Sequence, residues 1–199
     1  GSGTINKFTT NTLVMTNANS FDGSIYVNEG VLSGTSGSGT AFGTAAIYLG
    51  NTSGTGNSTI QFAGQTYGNA ITVQAGSSNN ALTMIAGAGG TTTLTGGMTL
   101  NKAVTLDSTS GTLTFSTTGI TGSSTIYVTN SAVTPIPTSH RINLNVANAG
   151  YTGSAVVLSN GTLRITTGAG LSSNNTVQLN SGGLLEVNTG TATIGGLND

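Results

Sequence analysis

The sequence predicts an all-β fold wound as a parallel β-helix, with roughly three short strands in each rung. Three observations carry this. Apolar-x-apolar triplets recur along almost the whole chain, mostly starting 7 to 16 residues apart, the rhythm of one strand and one turn. The strands are short and many: about 15 to 18, often with two inward residues each, exceed the roughly seven to nine longer strands of a sandwich. A block of the chain also recurs in fixed order much further on, as repeat architectures do. No stretch carries apolar residues at helical spacing without a Gly or a β-branched run, so no helix is expected.

In chain order the first triplets are Leu13-Val14-Met15, Ile25-Tyr26-Val27, Ile47-Tyr48-Leu49, Ile60-Gln61-Phe62 and Ile71-Thr72-Val73. Leu82-Thr83-Met84, Val104-Thr105-Leu106, Leu113-Thr114-Phe115 and Ile126-Tyr127-Val128 continue the series. Ile142-Asn143-Leu144, Val156-Val157-Leu158, Leu163-Arg164-Ile165, Val177-Gln178-Leu179 and Leu185-Glu186-Val187 complete it. Each triplet points its first and third side chains to one face. The inward set is therefore expected to include Ile25, Val27, Ile71, Val73, Leu113, Phe115, Val156, Leu158, Val177 and Leu179. Gly and Asn are expected where corners need φ > 0, and outward Thr, Ser and Asn should form flat polar ladders. About six to nine rungs would make a rod of roughly 30–45 Å. Residues 129–141, with Pro135 and Pro137, break the rhythm and are expected as an irregular loop, because proline cannot donate to a ladder. The whole chain, 1–199, reads as one solenoid domain and as a fragment of a longer protein.

Composition narrows the function. The chain has 32 Gly, 38 Thr, 22 Ser and 21 Asn, but four Lys+Arg and five Asp+Glu. Four cations cannot neutralise a phosphate track, so nucleic acid is not an expected partner. No apolar run approaches the ~20 residues of a membrane helix, so direct insertion is not expected either. Zero Cys removes disulfides and thiolate metal sites. A Thr-, Asn- and Gly-rich chain poor in Lys is typical of bacterial secreted surface proteins.

The recurring block begins Asn17-Ala18-Asn19-Ser20-Phe21-Asp22-Gly23-Ser24 and returns as Ala147-Asn148-Ala149-Gly150-Tyr151-Thr152-Gly153-Ser154. A strand follows each, then Glu29-Gly30-Val31-Leu32 or Asn160-Gly161-Thr162-Leu163, then a Gly/Ser-rich loop, then Ile47-Tyr48-Leu49 or Val177-Gln178-Leu179. This order resembles the autotransporter-associated β-strand repeat, over residues 13–62 and 142–197. The resemblance implies a right-handed β-helix, exported and displayed on a bacterial cell surface.

The acids Asp22, Glu29, Asp107, Glu186 and Asp199 are scattered, whereas sugar-cleaving β-helices need clustered carboxylates. His140 is the single histidine and is expected in a solvated loop. Gly87-Ala88-Gly89-Gly90 lacks a following Lys and helix, so it reads as a turn rather than a nucleotide loop. Calcium repeats of the G-G-x-G-x-D type are missing. No catalytic, cofactor-binding or metal-binding residue is therefore assigned, and an enzyme is not expected. Phe21 and Tyr151 occupy equivalent repeat positions and are expected to cap the core rather than to stack sugars.

The function expected is a structural or adhesive extracellular stalk, or a surface-display passenger, touching a host surface or glycan. The alternative is a self-assembling filament or sheath subunit, since an open solenoid end presents unpaired N–H and C=O groups. An ice-binding surface, suggested by Thr93-Leu94-Thr95 and Thr112-Leu113-Thr114, and a polysaccharide-active β-helix stand below these.

Overall fold

The computed structural model of the chain describes residues 1–35, 37, 39–76, 82–87, 89–131, 139–166, 168, 170–188 and 190–199. The first coils hold β1 (Thr4–Lys7) and β2 (Thr12–Met15), then β3 (Ser24–Val27) and β4 (Gly30–Gly34). Next come β5 (Ala46–Leu49), β6 (Ser58–Phe62), β7 (Thr66–Tyr67), β8 (Ile71–Val73), β9 (Leu82–Ala86) and β10 (Gly90–Leu94). Then follow β11 (Met98–Leu100), β12 (Val104–Asp107), β13 (Gly111–Phe115), β14 (Ile120–Gly122), β15 (Ile126–Thr129) and β16 (Ile142–Leu144). The last are β17 (Ala155–Val157), β18 (Thr162–Thr166), β19 (Thr176–Leu179), β20 (Leu184–Asn188) and β21 (Gly196–Asn198).

These strands form three parallel sheets. Sheet A runs β1-β3-β5-β8-β11-β14, sheet B β2-β4-β6-β9-β12-β15-β17-β19-β21, and sheet C β7-β10-β13-β16-β18-β20. Neighbours in a sheet come from successive coils, so the chain is a β-solenoid of about eight turns. At ~4.8 Å per step this is a rod of about 40 Å. A regular turn takes 22 residues, as where Met98 lies opposite Ile120 and Val157 opposite Leu179.

The three-strand rung holds in the middle of the rod and changes at both ends. Sheet C begins at the third coil and sheet A ends at the sixth. The early coils thus alternate between sheets A and B, the late ones between B and C. The two copies of the long-range repeat consequently lie on different faces: β3, β4 and β5 run A-B-A, whereas β17, β18 and β19 run B-C-B. What repeats is the order strand, corner, strand, while the sheet that receives the strand is set by the coil underneath. Where sheet A stops, isolated parallel bridges carry its column onward: Gly122 to Tyr151, Ala147 to Gly170, and Gly170 to Thr193.

Alternate residues of these strands fill one continuous core, including Ile25, Val27, Ile71, Val73, Leu113, Phe115 and Val177. Leu179 packs against it partly buried. One stretch is corrected by a single residue. Ala155 and Val157, not Val156 and Leu158, face inward. Four consecutive apolar residues leave the phase open, and the ladder decides it: Ile126 N–H donates to Ser154 O and Ala155 sits opposite Ile126. The Leu185-Glu186-Val187 triplet lies in the penultimate coil, where Val187 is exposed. Residues 132–138, the centre of the expected Pro-containing loop, lie outside the described residues; β15 extends to Thr129 and β16 begins at Ile142.

Polar side chains seal the corners. Asn175 Nδ2 donates to Tyr151 O and Gly153 O of the coil below, and Asn69 Nδ2 to Gly43 O and Ala45 O. Asn19 donates to Asn17 O and to Ala41 O, 22 residues on. Asn148 does the same with Val146 O and Gly170 O, again 22 residues on. The structural counterpart of Asn19 is therefore Asn148, one place before the Ala149 that sequence alignment pairs with it. Asn160 takes φ 65°, as expected of a corner Asn, although Thr117 does so as well. Gly43 is required at its corner: φ is 58°, and a Cβ would lie 2.0 Å from Phe21 O.

Candidate functional site

The charged residues are the natural place to look for chemistry in so neutral a chain. The outward row of sheet C runs Thr66, Thr93, Thr114, Asn143, Arg164 and Glu186, one residue per coil. Arg164 Nε lies 2.8 Å and Arg141 Nη1 3.0 Å from the same oxygen, Glu186 Oε2. Both arginines thus close on one carboxylate across three coils. Their spacings, 23 and 22 residues, lie within one residue of the 22-residue coil, and that is the signal by which sequence could have found the cluster.

His140 stands at the edge of this face. Its Nδ1 is buried and has no hydrogen-bond partner among the described residues, beside a shallow depression lined by Thr91, Thr112, Ser139 and Arg141. Among the described residues no carboxylate lines that depression, and the Thr112 hydroxyl donates to Ser139 O. Among the described residues no acid stands where it would orient the imidazole.

Two other ions, Asp107 and Lys7, are tied to the backbone. Asp107 is buried and accepts from Ser131 N–H at 3.0 Å and Ser131 Oγ at 2.5 Å. Lys7 is buried at the first corner, where Nζ donates to Thr9 O and Glu29 O. Burial holds its ammonium below the usual lysine range, and the nearby Glu29 offsets part of that. Asp22 lies exposed, 3.7 Å from the N-terminal ammonium. Among the described residues no three His, Asp or Glu gather where a metal ion could sit.

The aromatic and threonine candidates resolve similarly. Tyr151 is fully buried, with its hydroxyl donating to Ser154 O at 2.6 Å; burial pushes that hydroxyl far above its usual range. Phe21 packs partly buried on the core. Tyr26 and Tyr48 stack on each other across sheet A at 4.6 Å and 10°, so each covers one ring face of the other. Thr91 and Thr93 lie opposite Thr112 and Thr114, a two-by-two array. Thr114 is 7% exposed and the Thr112 hydroxyl donates to Ser139 O, so two of the four hydroxyls are covered or engaged. Thr95 leaves the row and donates to Tyr67 O.

No known protein family, curated protein or solved structure matches the chain.

Proposed function

We propose that this chain is a structural segment of an exported bacterial surface protein, a stiff stalk or display passenger without catalytic activity. The observation that carries this reading is sheet B, a ladder of nine parallel strands that runs the length of the rod. Such a ladder resists bending, because every coil is hydrogen-bonded to the next. Lys7, Asp107, Arg141, Arg164 and Glu186 are engaged between coils rather than gathered in a cleft, and the outward rows are largely Thr and Asn. The composition and the resemblance to autotransporter-associated repeats support an extracellular location. The test joins small-angle scattering, proteolysis and glycan turnover. A monomeric rod of about 40 Å that resists subtilisin and cleaves no polysaccharide is expected. Glycan turnover lost on changing any one of the five acids would overturn the reading.

A second reading, end-to-end assembly, is favoured by one observation. Exposed large apolar side chains lie at the two ends: Leu13 and Val14 at one, Leu184, Val187 and Leu197 at the other. β2 and β21 are the edge strands of sheet B, and no other described strand pairs with their outer edges. The terminal strand is Gly196–Asn198, with Thr193 before it in an isolated bridge, so Leu197→Lys is the disrupting change. Concentration-dependent rods in negative-stain images, abolished by Leu197→Lys, would establish assembly; a strict monomer at high concentration would reject it.

A further inference from the structure

Three corners between sheets A and B lie one above another at the start of the rod, and their lengths differ. The first corner spans 8–11, the second 28–29 and the third 50–57. A two-residue corner between two longer ones leaves a notch. Its floor is Asn28 and Glu29, one wall is Phe8, and the other is the 51–57 loop. The notch encloses about 480 Å³ and opens on the side of the rod. Its walls belong to coils two steps apart, about 10 Å.

The notch is built rather than loose. Lys7 O receives both Asn28 N–H and Glu29 N–H, and Lys7 Nζ grips Glu29 O. Gly30 N–H donates to Asn57 O at 2.7 Å, which ties floor to loop. Ser53 N–H donates to Asn51 Oδ1. Gly56 lies flat against the Glu29 side chain, where a Cβ would come within 2.7–2.9 Å of it. Against this frame Phe8 is 61% exposed, the most exposed large apolar residue of those described.

We propose that this notch binds a neutral hexopyranose unit of an oligosaccharide. An exposed aromatic face beside planar amides and a carboxylate is the chemistry that recognises a sugar ring. The ring's C–H face packs on Phe8, and its hydroxyls meet the Glu29 carboxylate and the Asn51 amide, whose Oδ1 is held by Ser53 N–H. The charge pattern sets the class. Among the described residues that line the notch there is no cation, and the ammonium of Lys7 is turned to the Thr9 and Glu29 carbonyls, so a uronate or sulfate meets Glu29 without a compensating partner. The site is independent of whether the rod serves as a stalk.

The test is an NMR titration of the ¹⁵N-labelled chain with cellohexaose, chitohexaose, mannohexaose and oligogalacturonate to about 10 mM. The expected result is a saturable shift at the amides of Phe8, Glu29 and the 51–57 loop with at least one neutral sugar. Phe8→Ala and Glu29→Gln should each weaken it roughly tenfold or more, with unchanged melting temperature. Tyr127→Ala, an exposed aromatic elsewhere on the rod, should leave it intact. No saturable shift with any neutral sugar, an equal response to oligogalacturonate, or full affinity in Phe8→Ala would each overturn the proposal.

Discussion

Replacing Asn148 tests how the solenoid is held together. Asn148 is buried and reaches three coils at once. Its Oδ1 accepts from Ile120 N–H at 2.7 Å, and its Nδ2 donates to Val146 O at 2.7 Å and Gly170 O at 3.1 Å. It stands where sheet A ends, capping the outer edge of β14. In Asn148→Ala the Ile120 N–H is orphaned in a buried position, which costs about 1–3 kcal/mol. The two carbonyls keep backbone donors, Gly170 N–H on Val146 O and Asn148 N–H on Gly170 O, so each loses less. The expected total is about 2–4 kcal/mol, read as a lower denaturation midpoint at constant m-value. Asn145→Ala, three residues earlier and exposed, should stay within about 0.5 kcal/mol. Asn148→Asp sharpens the test, because it keeps the acceptor but turns a carboxylate oxygen toward the two carbonyls. Its folded pKa would rise above the usual ~3.9, so its deficit should shrink as pH falls and grow as pH rises through that raised value. An Asn148→Ala protein as stable as the parent, or an Asn148→Asp protein with no acid recovery, would refute the idea that polar corners hold the coils in register.

Further outcomes are expected at other sites. Phe115→Ala removes a fully buried ring and should cost about 3–5 kcal/mol in chemical denaturation, while exposed Asp22→Asn should change stability by under about 0.5 kcal/mol. Burial raises the hydroxyl pKa of Tyr67 and Tyr151 above 10, so above about pH 10 the unfolded chain releases protons that the folded chain retains, and stability should fall. Tyr151→Phe should flatten that alkaline decline in a pH series of melts. Lys7, whose pKa is lowered, acts oppositely: stability gains as pH rises toward 10.5, and Lys7→Met should remove that gain. A double-mutant cycle on Arg164 and Glu186 should return about 0.5–1 kcal/mol of coupling that declines with added salt, because both side chains are partly exposed.

Much of the fold was legible because the core of a β-helix is local in sequence. Every strand must point alternate side chains inward, so Ile25-Tyr26-Val27 or Leu113-Thr114-Phe115 announces both strand and phase. Where alternation fails, as in Ala155-Val156-Val157-Leu158, the chain alone leaves two phases open, and only the bond to Ile126 chooses. Strands such as Thr66–Tyr67 and Gly90–Leu94 were hidden because Thr, Gly and a single apolar residue suffice when the coil below supplies the ladder. The face on which each copy of the repeat lies was hidden too, since the sequence orders strands along the chain but not around the axis. The same limit applies to sites. Arg141, Arg164 and Glu186 are remote in sequence and adjacent in space because a 22-residue turn stacks them. The notch at Phe8 exists because three corners of unequal length coincide in height. Composition and alternation determined an apolar core wrapped in Thr and Asn; the winding of one coil on the next decided which polar groups meet, because that depends on turn length accumulated over the whole rod.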